Sequence, residues 1–294
     1  MLPNFLIIGA SKCGTTALYY YLKQHPEISF PELKEPKYFS SVGLKFPHKG
    51  IGDVSVDRYA VKNFENYQKL FTSIQNIRVG EASPDTIYFY KQTVKLIKEK
   101  LGDIPIIIML REPIKRAFSA YMYLKRDSRE QLTFREGLDA EEQRISDNWD
   151  FIWAYKKCGL YTEQLKSFLD NFSNVKIILQ EDLKNNTDKI LQETFSFLGV
   201  NDAFKTDISI QHNESGIPNN FFSKFLLSRN NIFSTVTREL MKKVIPRFLL
   251  EKVASKSLKK VILLAEDIAY LKPYFHEDIC NVETLINRDL SDWK

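Results

Sequence analysis

The chain has 294 residues, 44% of them hydrophobic and 13% aromatic, which marks an ordinary soluble globular chain able to bury one large core. Its net charge of +5 comes from basic residues spread along the chain rather than massed in a tail, which favours anionic ligands and leaves no nucleic-acid partner expected. It has no apolar run of about 18 residues and no basic, apolar, small-residue leader, so we expect a cytoplasmic chain without a membrane span.

In chain order, "FLIIGA" at 5–10, "IRVGEA" at 77–82, "IPIIIMLR" at 104–111 and "VKIILQED" at 175–182 are strand candidates. They run through Val, Ile and Leu almost without alternation, as strands do when helices cover both faces of a parallel sheet. Helical spacing falls at 15–25, 85–101, 113–126, 131–146, 160–172 and 187–199, with Gly102 and Gly199 as stops. This pattern predicts a three-layer α/β fold around a central, roughly five-stranded parallel sheet. From about residue 218 the pattern is helical only, with amphipathic runs broken by Pro246 and Pro273. Residues 218–294 are therefore expected to form a helical C-terminal cap, and 1–294 a single domain without repeats or linkers. The three cysteines, Cys13, Cys158 and Cys280, are far apart, with no CxxC pair and no histidine spacing suited to zinc. A reduced compartment and no metal site are expected.

The opening stretch "FLIIGASKCGTTALYYYL" sets Gly9 and Gly14 at the spacing of a strand-loop-helix phosphate cradle, in which backbone N–H groups and a helix N-terminus converge on an anion. Two glycines can also mark nothing more than a tight turn. Here the loop follows an apolar strand, precedes an amphipathic helix and carries Lys12, Thr15 and Thr16, all suited to phosphate oxygens. It departs from the nucleoside-triphosphate version, which places Lys directly after the second glycine. Thr15 stands there instead, and the lysine lies inside the loop. The strand at 104–111 ends in Arg111 rather than an acidic metal ligand, and "LREPIKRAFSAYMY" sets Ser119 about two turns into the next helix. An arginine fork and a hydroxyl are donors for a second anionic group, unless Arg111 pairs with a structural carboxylate.

The stretches "FLIIGASKCGTTALYYYL", "KEPKYF", "GEASPDTIYF", "LREPIKRAFSAYMY", "GLYTEQLKSFL" and "RDLSDW", in this order along nearly the whole chain, resemble the sulfotransferases that use 3'-phosphoadenosine 5'-phosphosulfate. The heparan sulfate sulfotransferase branch and its bacterial homologues are the most similar. The resemblance implies that Ser11, Lys12, Cys13, Gly14, Thr15 and Thr16 grip the 5'-phosphosulfate and that Arg111 and Ser119 bind the 3'-phosphate, without a metal. It also implies that Tyr161 lies close to this co-substrate. The relatives' basic loop beside the 3'-phosphate has no clean counterpart in "QHNESGIPNN", where Asn213, Ser215 and the backbone around Gly216 are expected to serve a similar role.

The same resemblance makes Glu35, in "KEPKYF", the base that takes the proton of the acceptor hydroxyl, with His212 of "QHNES" as the competing base. Among the other histidines, His25 is read as a helix-end cap, and His48 and His276 as exposed. Glu81 and Asp85 either contact the acceptor or merely cap the following helix. Ala82 stands where secreted relatives often carry a lysine, and Cys158 and Cys280 give no counterpart of their disulfide, so the acceptor site does not carry over. The acceptor is expected to be a hydroxyl of a saccharide, an acyl chain or another small molecule. The alternatives are a small-molecule kinase using ATP and magnesium, and a non-catalytic module that binds adenosine 3',5'-bisphosphate.

Overall fold

The computed structural model describes residues 2–209, 217–218, 258–259 and 261–294. At its centre is a five-stranded parallel sheet of β1 (Phe5–Gly9), β2 (Ile28–Ser29), β3 (Arg78–Ala82), β4 (Ile106–Leu110) and β5 (Val175–Leu179), in the spatial order β2-β3-β1-β4-β5. Every residue of β1 and β4 is buried, which is why these strands read as unbroken apolar runs. Phe5 pairs with Gly80 and Ile7 with Ala82 on one side, while Leu6 pairs with Ile106 on the other. A Cβ on Gly80 would lie 2.3 Å from Phe5 and 2.4 Å from Phe30, so the mid-strand glycine makes room for two aromatic rings. The chain leaves β1 toward β3 and later crosses to β4 and β5, so the sheet order reverses beside β1. Open α/β sheets bind ligands at such points, outside the carboxyl ends of the strands.

Most predicted elements are present, with shifted boundaries. The two-residue β2 carries too short a run to be seen in sequence. "QED" after β5 is helical and opens α10 (Gln180–Asn185). The helix expected from residue 85 starts five residues later, as α5 (Tyr90–Leu101), because the preceding segment is a turn tied to β1 by the Ile87 N–H on the Ile8 carbonyl (2.9 Å). The run at 131–146 divides into α7 (Phe134–Asp139), started by a capping box of Thr133 and Glu136, and α8 (Glu141–Ser146). α1 (Thr15–Leu22), α6 (Pro113–Arg126), α9 (Thr162–Leu169) and α11 (Thr187–Leu198) lie where helical spacing placed them. Three short helices, α2 (Tyr38–Ser41), α3 (Asp53–Asp57) and α4 (Phe64–Lys69), fill the stretch between β2 and β3.

The C-terminal part needs two corrections. Ile217–Pro218 pairs antiparallel with Leu258–Lys259 where only helices were expected; the proline pushes Ile217 toward an extended backbone. Pro273 does not break its helix, α12 (Ala265–Ile286). Both Pro273 and Ala269, whose carbonyl loses its intrahelical donor, are exposed, so water can take over that bond. Pro246 lies outside the described residues.

α12 is fastened to α9 by one carboxylate. Asp278 accepts the N–H groups of Tyr161 (2.7 Å) and Thr162 (3.1 Å), which the start of α9 leaves without intrahelical partners. Hydrogen bonds to a charged group contribute about 1.5–3 kcal/mol. Asp278→Ala is therefore expected to lower unfolding stability by about 2 kcal/mol in denaturant melts, and a loss below about 0.5 kcal/mol would show that the cap is not a significant tie.

Candidate functional site

The loop between β1 and α1 is shaped by its two glycines. Gly9 has φ +144°, and a Cβ there would lie 2.4 Å from the Ile87 side chain and 2.7 Å from the Pro84 carbonyl. Gly14, at φ +96°, is the N-cap of α1 and turns the chain into the helix. The Ala10 N–H reaches the Met109 carbonyl (2.7 Å) and the Cys13 N–H the Ala10 carbonyl (3.2 Å); the Ala17 N–H already reaches the Gly14 carbonyl (3.0 Å), while those of Thr15 and Thr16 have no intrahelical acceptor. Cys13 faces inward, fully buried, with its Sγ 3.6 Å from the Tyr161 hydroxyl. Burial pushes its thiol up to about 11, so this side chain is an apolar plug beneath the loop and not a ligand group. Thr15 is also buried, at 6% exposure.

Lys12 adopts φ +70° and extends over the ring of Tyr123, with Nζ 4.4 Å from the centroid; Arg126 approaches the same ring at 5.2 Å. Burial first, and the charge of Arg126 second, bring the Lys12 ammonium down to about 7, against the opposing pull of Asp127 and Glu35. Arg111 stands behind it, donating from Nη1 to the Lys12 carbonyl (3.4 Å), while its buried Nε has no hydrogen-bond partner. Glu112 caps α6 by accepting the N–H groups of Ile114 (2.7 Å) and Lys115 (2.8 Å), which starts the helix at once and leaves Arg111 at the strand exit. Ser119 is half-buried on α6.

Tyr161 takes a different place from the one expected. It is fully buried, and its hydroxyl donates to the Arg111 carbonyl (3.0 Å). It braces the loop and the strand exit from behind and presents nothing to a ligand.

Glu35 joins the loop through a lysine. Lys34 Nζ donates to Thr16 Oγ1 (3.0 Å) and to Glu35 Oε1 (2.8 Å), so the carboxylate sits within one residue's reach of α1. Glu35 and Lys37 both have left-handed backbones, at φ +61° and +57°. A buried chain fixes them: the Lys37 N–H donates to Ser83 Oγ (2.9 Å), and the Ser83 hydroxyl donates to Glu81. The Lys37 ammonium lies 3.9 Å from Asp85, which also accepts the Ser40 hydroxyl (2.7 Å). Burial opposes the Lys37 charge, but Asp85, then Asp150 and Glu35, outweigh it and hold Lys37 above the ordinary lysine range. Glu81 and Asp85, at 2% and 3% exposure, are closed off from any acceptor. They support the Glu35–Lys37 segment from below, and burial raises Glu81 to about 8.

The other histidines do not gather here. His25 is buried between Phe195 and Phe204, accepting the Glu27 N–H on Nδ1 (3.1 Å) with Nε2 2.9 Å from the Asn201 carbonyl. His48 is not exposed as expected. It is 7% exposed and paired with Asp57, Nδ1 to Oδ1 at 2.7 Å. His276 is exposed on α12. His212, Asn213, Ser215 and Gly216 lie outside the described residues. Among the described residues no group of three His, Cys, Asp or Glu side chains is placed to hold a metal ion, and no helix is long and apolar enough to cross a membrane.

Sequence reasoning passed over Tyr123 and Arg126. They follow Ser119 by four and seven residues, so continuing its helical face at the 3.6-residue period would have reached both. Together the side chains set two adjoining cationic groups, the Lys12 loop and Arg111, with one half-exposed carboxylate, Glu35, beside the loop.

A family model described as "Sulfotransferase domain" matches residues 2–216. Carbohydrate sulfotransferase 15 of Mus musculus is 27% identical over 252 residues, covering 68% of this chain and 44% of its own length. The bifunctional heparan sulfate N-deacetylase/N-sulfotransferase 4 of Mus musculus is 28% identical over 211 residues, covering 68% of this chain and 22% of its own. The chain thus spans less than half the length of these curated relatives. A crystal structure of a sulfotransferase from Alicyclobacillus acidocaldarius superposes with a TM-score of 0.79 at 32% identity, covering all of this chain and 99% of that one.

Lys12 ties stability to pH. Its folded value near 7 lies below the 10.5 of an unfolded lysine, so the unfolded chain binds the extra proton between these pH values and the fold loses stability as pH drops through that window. Lys12→Met removes this penalty. The variant is expected to melt above the parent at pH 7, with the advantage shrinking as pH rises toward 9.5; a variant that melts lower at pH 7 would contradict the assigned burial.

Proposed function

The chain belongs to the sulfotransferase domain family, and on that premise we propose that it transfers a sulfuryl group from 3'-phosphoadenosine 5'-phosphosulfate to a hydroxyl of a saccharide. The observation that carries this reading is the unbroken line of contacts from Arg111 through the Lys12 loop to Thr16, Lys34 and Glu35. It sets donors for two anionic groups next to one carboxylate. The donor set fits this co-substrate: a loop with a lysine and free helix N–H groups suits a phosphosulfate, and an arginine with an unpartnered buried Nε suits a separate phosphate.

In this reading Glu35 takes the proton of the acceptor hydroxyl while its oxygen forms a bond to sulfur. The bond from sulfur to the bridging oxygen of the phosphate breaks, and adenosine 3',5'-bisphosphate departs with the electron pair. Lys12 and the first-turn N–H groups of α1 meet the charge that grows on that oxygen. An ammonium that titrates near 7 in the free protein is readily driven to its charged form by an incoming anion, so Lys12 gains its full charge where the donor lies. Lys34 orients Glu35 through its bond to Thr16, which couples the base to the helix that holds the donor.

Glu35→Gln keeps the size and the Lys34 contact but removes the base. Turnover is expected to fall by roughly 10² or more, with adenosine 3',5'-bisphosphate affinity by calorimetry nearly unchanged; near-parental turnover would remove Glu35 from the role. Arg111→Ala is expected to weaken adenosine 3',5'-bisphosphate by about tenfold to a hundredfold and adenosine 5'-phosphate by less than about threefold. Equal weakening of both nucleotides would show that Arg111 does not serve the 3'-phosphate.

A further inference from the structure

The segment at 42–64 turns one kind of side chain inward and another outward. Its two acids, Asp53 and Asp57, lie one turn apart on α3 and are buried. Asp53 accepts the Trp153 indole N–H (3.0 Å) and pairs with Arg129, whose Nε also donates to the Ile51 carbonyl (2.7 Å). Asp57 accepts the His48 N–H (2.7 Å) and faces its Nδ1 (2.7 Å). With both acids drawn in, the outer side holds Ile51, Val54 and Tyr59, at 38%, 48% and 53% exposure, among the exposed cations Lys45, Lys49, Arg58 and Lys62. We propose that this face docks the protein on an anionic lipid surface. The inference goes beyond the sulfuryl-transfer reading and does not depend on it.

The outward side chains share one face. Val54 and Arg58 are four residues apart and Ile51 is three before Val54, so the helical period stacks them on the side away from the two acids. Lys62 Nζ rests 4.1 Å over the Phe46 ring, and that ring lies 5.0 Å from His48, the partner of Asp57. These contacts bring the loop carrying Lys45 and Lys49 beside α3 and the turn at 59–62. Charge and apolarity together identify the occupant. Among the described residues none of the four cations joins an ion pair, so each is open to a lipid phosphate or carboxylate. Asp147, exposed next to Asn148, whose amide binds the Lys45 carbonyl (3.0 Å), offsets one charge at most. Ile51 and Val54 have no polar side-chain atom to offer a sugar or a phosphate. At the boundary between headgroups and acyl chains they are buried while the flanking cations meet anionic headgroups. Tyrosine suits the same depth, with its ring inward and its hydroxyl among the headgroups. A protein partner fits less well, because lysine is depleted in protein–protein interfaces and three of these cations are lysines. The Val61 N–H donates to the Pro36 carbonyl (2.8 Å), which ties this face to the Glu35 segment and sets the candidate site close to the lipid on docking.

The test is cosedimentation of the full chain with two kinds of vesicle, phosphatidylcholine alone and phosphatidylcholine with phosphatidylserine at a ratio of about 7:3. The parent is expected to bind the anionic vesicles at least about tenfold more tightly, with the margin shrinking as salt rises. Arg58→Ala with Lys62→Ala should weaken that binding by about 25-fold, about fivefold for each cation. Ile51→Ser with Val54→Ser, which leaves the net charge unchanged, should weaken it by about tenfold or more. A sulfated hexasaccharide and a short single-stranded oligonucleotide, each added to the vesicle-bound parent, read the competing polyanions and should leave it bound. No parental binding to the anionic vesicles, or binding unchanged in either double variant, would overturn the proposal. So would release of the parent by an equimolar amount of either soluble polyanion, which would assign the face to a polyanion instead.

Discussion

The site depends on one close approach. At Gly9 the backbone leaves no room for a side chain, because the turn carrying Pro84 and Ile87 lies directly against it. That approach brings the end of β3 and its following turn onto the end of β1, and the turn carries Ser83 and Asp85. Ser83 accepts the Lys37 N–H and Asp85 faces the Lys37 ammonium, so the position of the Glu35 segment follows from how tightly β1 and the turn pack. Arg111 meets the same loop from the β4 side, through the Lys12 carbonyl. A glycine that accommodates a packing contact thereby sets the spacing between Glu35 and the Lys12 loop.

The cost of this arrangement is concentrated at the candidate site. Lys12, Glu35 and Lys37 are three of the six non-glycine residues with positive φ among those described, a backbone that L side chains adopt at some cost. Lys12 is also a cation in surroundings that disfavour its charge. Such features persist when the surrounding packing over-determines them, and here that packing is the buried sheet together with the Glu81–Ser83–Lys37 chain. An anion bound in the loop would relieve the Lys12 penalty, so part of the folding cost returns as binding energy.

The sheet was legible in the sequence because β1 and β4 are buried at every position and appear as apolar runs, and β3 and β5, buried over part of their length, keep enough Val, Ile and Leu to be seen. The edge strand Ile28–Ser29 was not, since two residues carry no periodicity. The loop was legible from glycine spacing and from Lys12, and Arg111 from its place after a strand and before a proline. Glu35 came from family resemblance alone; nothing in the composition of "KEPKYF" separates a base from a solvated ion pair. Burial of Glu81, Asp85 and Tyr161 was hidden because a polar side chain carries no local mark of its depth. That depth is set by which distant segments cover it, as α12 helps to cover Tyr161 through Asp278.

The two halves of the site come from different kinds of structure, and this bears on how specificity is divided. The half with Lys12 and Arg111 is built from the ends of β1 and β4 and the helices that follow them, elements held by the sheet. Glu35 comes from residues 30–66, a stretch of short helices and turns tied to the turn after β3 by specific bonds, such as Lys37 to Ser83 and Ser40 to Asp85. Substitutions at Arg58, Tyr59 or Lys62 alter its exposed face without touching the strands that place Lys12 and Arg111. The surface of this stretch can therefore vary while the geometry of the Lys12 loop and Arg111 stays fixed, as expected where loops vary on a rigid scaffold.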